Sequence, residues 1–366
     1  FVHVTLPLLL PAIVSSAVLA FAFSFTSFGV VLILGGPEFA TLEVVTYELA
    51  AKLFRLELAG ALAIIQLVFT YLILLIYTKF QAGAAVRVEL VPRGNTSTGR
   101  RRSRDTVYVC ALIVGLLAIL SPLWALFERS ISSGEGYSLV HFISLFSNET
   151  GSYFYRSPLS VIGNSVRFAI CTMVIAVTVG TIVAYYLSRS HRQNAGVLDA
   201  IFMMPLGVSA VIMGFGFLIA FDQSPMDLRA SWAILVIAHS LIAYPFVIRS
   251  VLPTLRGIPI HLREAAAVLG ASPAKTFFHI DMPILSGSLL VGATFAFAVS
   301  MGEFGASLLL VRPEFTTIPV AIFRLLGQPG DSNIGQAVAL SAILMMIVAM
   351  GFILIERFRY KDNGGF

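Results

Sequence analysis

The chain has 366 residues, of which 58% are hydrophobic and 12% charged, and its mean hydropathy is +0.91. Soluble domains carry roughly twice that share of charged side chains, which argues against a water-soluble enzyme, a disordered chain or a fibrous protein. The formal charge of +5 is modest, and the placement of the cations says more than their number.

A helix needs about 20 mainly apolar residues to cross the hydrocarbon core, because lipid offers the backbone no hydrogen-bond partners. Eight stretches meet that need: Leu8–Phe28, Leu58–Thr78, Thr106–Phe127, Ser160–Leu187, Leu198–Ala220, Trp232–Val251, Ile284–Ser300 and Gly335–Ile355. The seventh extends toward Leu310. Pro205, Gly207, Gly214 and Gly216 let the fifth bend and pack closely. The two cysteines, Cys110 and Cys171, fall inside apolar runs, so no disulfide framework or zinc spacing is present. The chain opens on Phe1 with no signal peptide before it, and reads as a piece of a larger integral membrane protein.

Placing the amino end in the cytoplasm puts sixteen Lys and Arg on the inner side and seven on the outer side, with Arg167 alone inside a span. The positive-inside rule then sets both chain ends in the cytoplasm of a multi-pass plasma-membrane protein. Seven of the sixteen lie in the linker 79–105. Its basic run, Arg100 to Arg104, sets topology beside anionic lipid and is not a nucleic-acid site.

The chain repeats itself. Shifted by 276 residues, the segment from Phe1 aligns without gaps on the segment from Phe277, with 18 identities in the first 48 positions. They include His3/His279, Phe21/Phe297, Ser24/Ser300, Phe28/Phe304 and Gly29/Gly305. A denser cluster, Pro37/Pro313, Glu38/Glu314, Phe39/Phe315 and Thr41/Thr317, falls in loop sequence where apolar composition cannot explain it. The expected architecture is all-α and polytopic, with a parallel internal repeat. Residues 1–78 are the last two spans of a first half, 79–105 the linker, and 106–361 a complete six-span second half. The same offset places roughly 170 further residues ahead of Phe1.

Between the sixth and seventh spans, residues 252–283 do more than connect. Pro259 precedes a helix-forming run centred on Arg263-Glu264-Ala265-Ala266-Ala267, which stops at Gly270. Ser272 and Pro273 then open a second short helix that Pro283 closes. The sequence predicts two short helices joined at a glycine.

This segment resembles the EAA loop of binding-protein-dependent ABC importer permeases. Glu264-Ala265-Ala266, Gly270, Ile280 and Pro283 stand at the family's spacing, with Met282 in place of its leucine. Val4, Leu6 and Pro7 match the tail of a second copy of the loop. The resemblance implies a coupling helix docked on an ATPase subunit. In that reading Glu264 makes the polar contact and Ala265 and Ala266 allow close approach. Gly270 makes the turn, and Ile280 and Pro283 anchor the loop to the spans. It also implies two ATPase subunits carrying ATP and Mg, an extracytoplasmic solute-binding protein, and no enzyme activity or bound cofactor in this chain. The fused two-half architecture and Glu303-Phe304-Gly305-Ala306-Ser307 look most like the ferric-iron group, so ferric iron is the expected cargo; Gly35-Gly36-Pro37 leans toward the thiamine group, and an oxyanion such as molybdate or sulfate is the other alternative.

The chain has no ATP site of its own: the segment from Gly270 to Lys275-Thr276 lacks the second glycine of a phosphate-binding loop and is one residue short. It also has no metal-ligand cluster. An ion-coupled secondary transporter, the rival of another class, needs ionisable groups at mid-membrane depth. The spans supply His239, read as a hydrogen-bonded packing residue, with Glu303 and Asp199 near span ends. Arg167 either reaches the outer interface or, with Glu303, lines the translocation path near an outer gate.

Overall fold

The structure, a computed structural model, describes residues 24–84, 102–133, 136–147, 157–189, 195–221, 228 and 231–363, with single positions between 6 and 21. Most of the first expected span, the linker from 85 to 101, and Val4 and Pro7 lie outside the described residues; Leu6 is helical.

Helix α1 (Gly29–Leu34), a 3-10 turn (Pro37–Phe39), α2 (Leu42–Tyr47) and a π turn (Glu48–Lys52) precede the long helix α3 (Leu56–Ala84). Helix α4 (Arg102–Ile131) leads into the two-residue antiparallel pair β1 (Ser132–Ser133) and β2 (Gly136–Tyr137), then α5 (Val140–Ser144). There follow α6 (Pro158–Arg189), α7 (Ala195–Gly207), α8 (Ala210–Ala220), α9 (Ala233–Gly257) and α10 (Ile260–Val268). Helices α11 (Pro273–Thr276), α12 (Met282–Gly302), α13 (Gly305–Leu310), α14 (Ile318–Leu326) and α15 (Asp331–Asn363) complete the chain.

Six stretches of the described residues are long and apolar enough to cross a membrane, and α7 with α8 forms a seventh that is bent by 109°. Local chemistry explains the bend. Pro205 and Gly207 end α7, and the Ser209 hydroxyl caps α8 by accepting from the Val211 amide. The expected fifth span is therefore two helices meeting at an angle. The expected seventh is longer at its start, running without interruption from Pro273 to Gly302.

Helices α6, α9 and α12 form the central packing unit, and α15 closes on α12 and α14. Small residues let these helices approach: a Cβ on Gly180 would fall 2.7 Å from the Val247 Cβ, and one on Gly292 2.7 Å from the Ser250 Oγ. Lipid gives apolar helices no hydrophobic reason to associate, so close backbone contact at such positions supplies the attraction. Ala176, Ala184, Val247, Val251 and Leu285 fill the resulting core. The repeat offset also governs element boundaries: α1 and α13 match at both ends, as do the 3-10 turns Pro37–Phe39 and Pro313–Phe315.

Candidate functional site

The site lies where α9 gives way to α10. Ile258 and Pro259 are extended, and Pro259 stands as N-cap before a run of strong helix formers. At the other end the Gly270 amide donates to the Ala267 carbonyl and the Ala271 amide to the Ala266 carbonyl. That pair of bonds is a Schellman motif, and it requires a left-handed residue. Gly270 supplies it, with φ of +77°. A Cβ there would touch nothing, so the requirement for glycine is conformational and not steric.

Ser272 caps the next turn, its hydroxyl accepting from the Lys275 amide, and Pro273 takes the first helical position. The expectation that Pro283 closes this second helix is not met. Helix α11 passes through a π turn (Phe277–Asp281), in which the Met282 amide donates to the Phe277 carbonyl, straight into α12. A proline inside a helix lacks the amide for its own bond and crowds the carbonyl four residues back. The widened turn just before Pro283 accommodates both defects, so the rod continues.

The sequence reading missed the brace of this site. Arg263 Nε donates to Asp281 Oδ1 at 2.9 Å, tying α10 to the rod, with Asp281 wholly buried and Arg263 largely so. Phe277 adds an edge contact to Tyr185 on α6, ring centroids 5.5 Å apart. Of the predicted residues, Ala266 is buried against this base, Ile280 is half-buried, and Glu264, Ala265, Gly270 and Pro283 are exposed. The knuckle's tip is apolar and bare: Val268 and Leu269 are 88% and 87% exposed.

Arg167 and Glu303 are not brought together. Arg167 is exposed, its guanidinium 4.4 Å above the Trp232 ring. Glu303 is buried at the junction of α12 and α13. Its carboxylate accepts from the amides of Ala306 and Ser307 and from the Ser307 hydroxyl, at 2.8–2.9 Å. His239 completes the cluster, Nδ1 lying 2.8 Å from the Ser300 hydroxyl and Nε2 3.2 Å from the Glu303 carboxylate. The hydrogen bonds to neighbouring helices are those expected of His239, and its pairing with the Glu303 carboxylate was not expected. Asn164 and Ser165 hold the start of α14: Asn164 donates to the Glu314 carbonyl, and the Ser165 hydroxyl accepts from the Ile318 amide.

Residues 176–359 match the family described as the binding-protein-dependent transport system inner membrane component. A provisionally assigned 2-aminoethylphosphonate transport system permease protein, PhnV of Salmonella typhimurium, is 26% identical over 262 residues, covering 70% of this chain and 95% of that protein. The molybdenum transport system permease protein ModB of Haemophilus influenzae is 28% identical over 206 residues, 52% of this chain and 90% of that one. A bacterial alginate ABC transporter, solved in complex with an alginate pentasaccharide-bound periplasmic protein, shares the fold. Its TM-score is 0.53 at 17% identity, over 70% of this chain and 93% of that chain. The chain therefore belongs to the binding-protein-dependent transport system inner membrane components, and is a multi-pass membrane permease of an ABC importer.

Proposed function

We propose that α10 with its apolar tip is the coupling element of this permease, seated in a cleft on a separate ATPase subunit. One observation carries the reading: an exposed apolar knuckle is tied by a part-buried ion pair to a rod long and apolar enough to cross the membrane. Exposed apolar tips on a polar side of the membrane mark contacts with another protein. Glu264, exposed on the same helix, supplies the polar contact beside it. In this reading the α10 end is cytoplasmic, as are both ends of the chain, and ATP with its Mg is bound by two partner ATPase subunits. Residues 1–78 and 106–361 act as two halves around a central path, and a binding protein delivers cargo on the far side. The family match supports this arrangement over an ion-coupled transporter.

For the cargo, the relatives support a small oxyanion of phosphonate or molybdate type. Ferric iron and thiamine, to which the sequence resemblance leaned, gain no support from them. The test is uptake into proteoliposomes bearing the permease, its ATPase and its binding protein. Labelled molybdate or 2-aminoethylphosphonate is expected to enter on ATP addition, and uptake of ferric iron alone would overturn the cargo. For the coupling element, Leu269→Asp is expected to remove the ATPase subunit from the purified complex while the permease stays inserted. Full retention of the ATPase by that variant would refute the docking surface.

A further inference from the structure

We propose that Phe28 and Phe304 are the two leaves of the transport gate, closing the path at the end of the bundle away from α10. The inference rests on the permease reading and extends it to the residues that block the path. The offset of 276 makes Phe28 and Phe304 equivalent, and Tyr47 and Phe323 likewise. The rings of Phe28 and Phe304 stack on each other, centroids 5.6 Å apart and planes 22° from parallel. Each also meets its own partner: Phe28 to Tyr47 at 5.4 Å and Phe304 to Phe323 at 5.3 Å. The chain Tyr47–Phe28–Phe304–Phe323 is thus symmetric about its middle. In a two-fold arrangement a residue touches its own equivalent only on the axis. The pseudo-two-fold axis of the two repeats therefore passes between these rings, and that axis is the line along which a solute crosses between halves.

The stack fills that line. Phe28 is 5% exposed and packs with Val44 and Val211, while Leu308 approaches from the second repeat. Gly29 keeps the contact close: a Cβ there would fall 3.1 Å from the Phe304 ring. Both phenylalanines occupy the residue before a short helix, Phe28 before α1 and Phe304 before α13. A change of angle at either junction swings a ring and leaves the long helices intact. On one side that junction is the upper end of the rod that begins beside the coupling knuckle. The two leaves differ in how they are held, since the residue preceding Phe304 is the hydrogen-bonded Glu303 and the one preceding Phe28 is Ser27.

The experiment links the leaves in the whole transporter, ATPase and binding protein included, with Cys110 and Cys171 replaced by serine. A Phe28→Cys/Phe304→Cys pair is joined by a short bifunctional thiol reagent without nucleotide. Joining is expected to cut uptake by roughly tenfold, as locking a gating element does, and reduction is expected to restore it. The comparison pair is Trp124→Cys/Phe127→Cys, a ring contact within α4 at 6.4 Å, whose joining should leave uptake unchanged. Undiminished uptake by the joined Phe28/Phe304 pair, or no joining at all, overturns the gate. Should that double variant fail to insert, Phe304→Ala alone is expected to raise ATP hydrolysis without binding protein several-fold, and an unchanged rate overturns the gate. Absence of the ATPase from the unmodified complex would instead refute the permease reading, leaving the two failures distinguishable.

Discussion

Asp281 shows what a spacing motif leaves out. In the sequence it stands between Ile280 and Met282, at a position the EAA pattern leaves free, and nothing nearby marks it. Its partner, Arg263, becomes a neighbour only because the chain reverses at Gly270. Gly270 was legible because a left-handed helix stop follows from local backbone chemistry, whereas the roles of Glu264 and Ala266 came only from the family resemblance. A contact between residues on two helices has no such local signature. Removing one member of a fully buried ion pair costs about 3 kcal/mol, and the one-fifth exposure of Arg263 makes the cost of losing Asp281 smaller than that. Asp281→Ala is therefore expected to lower the melting temperature of the purified complex and the uptake per ATP hydrolysed. The exchange Arg263→Asp/Asp281→Arg should recover part of both, and an exchange no better than the single change would mean the pair does not brace the knuckle. Gly270→Ala should be milder, near 1 kcal/mol, because it strains one backbone position and displaces no neighbour.

At the scale of elements, the span of α3 was legible and a bend in the fifth span was allowed for, but neither α2 nor its meeting with them was. Thr41, Leu42 and Glu43 read as loop sequence, yet Glu43 is wholly buried and accepts from the Gln66 amide of α3 at 2.8 Å. Ser209, the cap of α8, lies beside the same carboxyl. Burial pushes the Glu43 carboxyl up from 4.5 to about 7, against the lowering effect of the Ser209 and Gln66 hydrogen bonds. The sign follows from proton uptake. Between 4.5 and about 7 the folded protein holds a proton that the unfolded chain has lost, so stability falls as pH rises through that window. Below the window the carboxyl is neutral in both states and carries no charge-burial penalty; above it the full penalty remains. At one pH unit for about 1.4 kcal/mol, the loss amounts to about 3 kcal/mol. Glu43→Gln is expected to abolish this slope, leaving the variant more stable than the parent at pH 8 and no more stable at pH 4. Equal melting temperatures of the two proteins across that range would exclude Glu43 as the source.

For the molecule as a whole, the internal repeat was readable from sequence because identities in loop segments are hard to produce by composition. The repeat did not reveal that two equivalent phenylalanines touch, since offset arithmetic gives correspondence and not distance. Distance comes from the packing of α8 against α13, where a Cβ on Gly214 would fall 2.8 Å from the Ala306 Cα. With those helices in place, one continuous rod runs from Pro273 to Gly302. At 1.5 Å per residue it spans roughly 45 Å, enough to carry a displacement from one face of the membrane to the other. Side chains packed to crystal-like density do not absorb such a displacement gradually, so a shift at the knuckle is delivered at the α12–α13 junction. The rod then makes a prediction that neither end makes alone. In the parent transporter, trapping ATP on the ATPase should lower the yield of the Phe28→Cys/Phe304→Cys link, because the leaves part. With Gly270→Pro added, the Schellman turn is lost and the knuckle no longer fixes the rod, so the yield should stay at its nucleotide-free level while ATP is still hydrolysed. Glu43→Gln, which leaves the rod and the knuckle untouched, should preserve the nucleotide response. A nucleotide response that survives Gly270→Pro would mean that motion reaches the far end by a route other than α12.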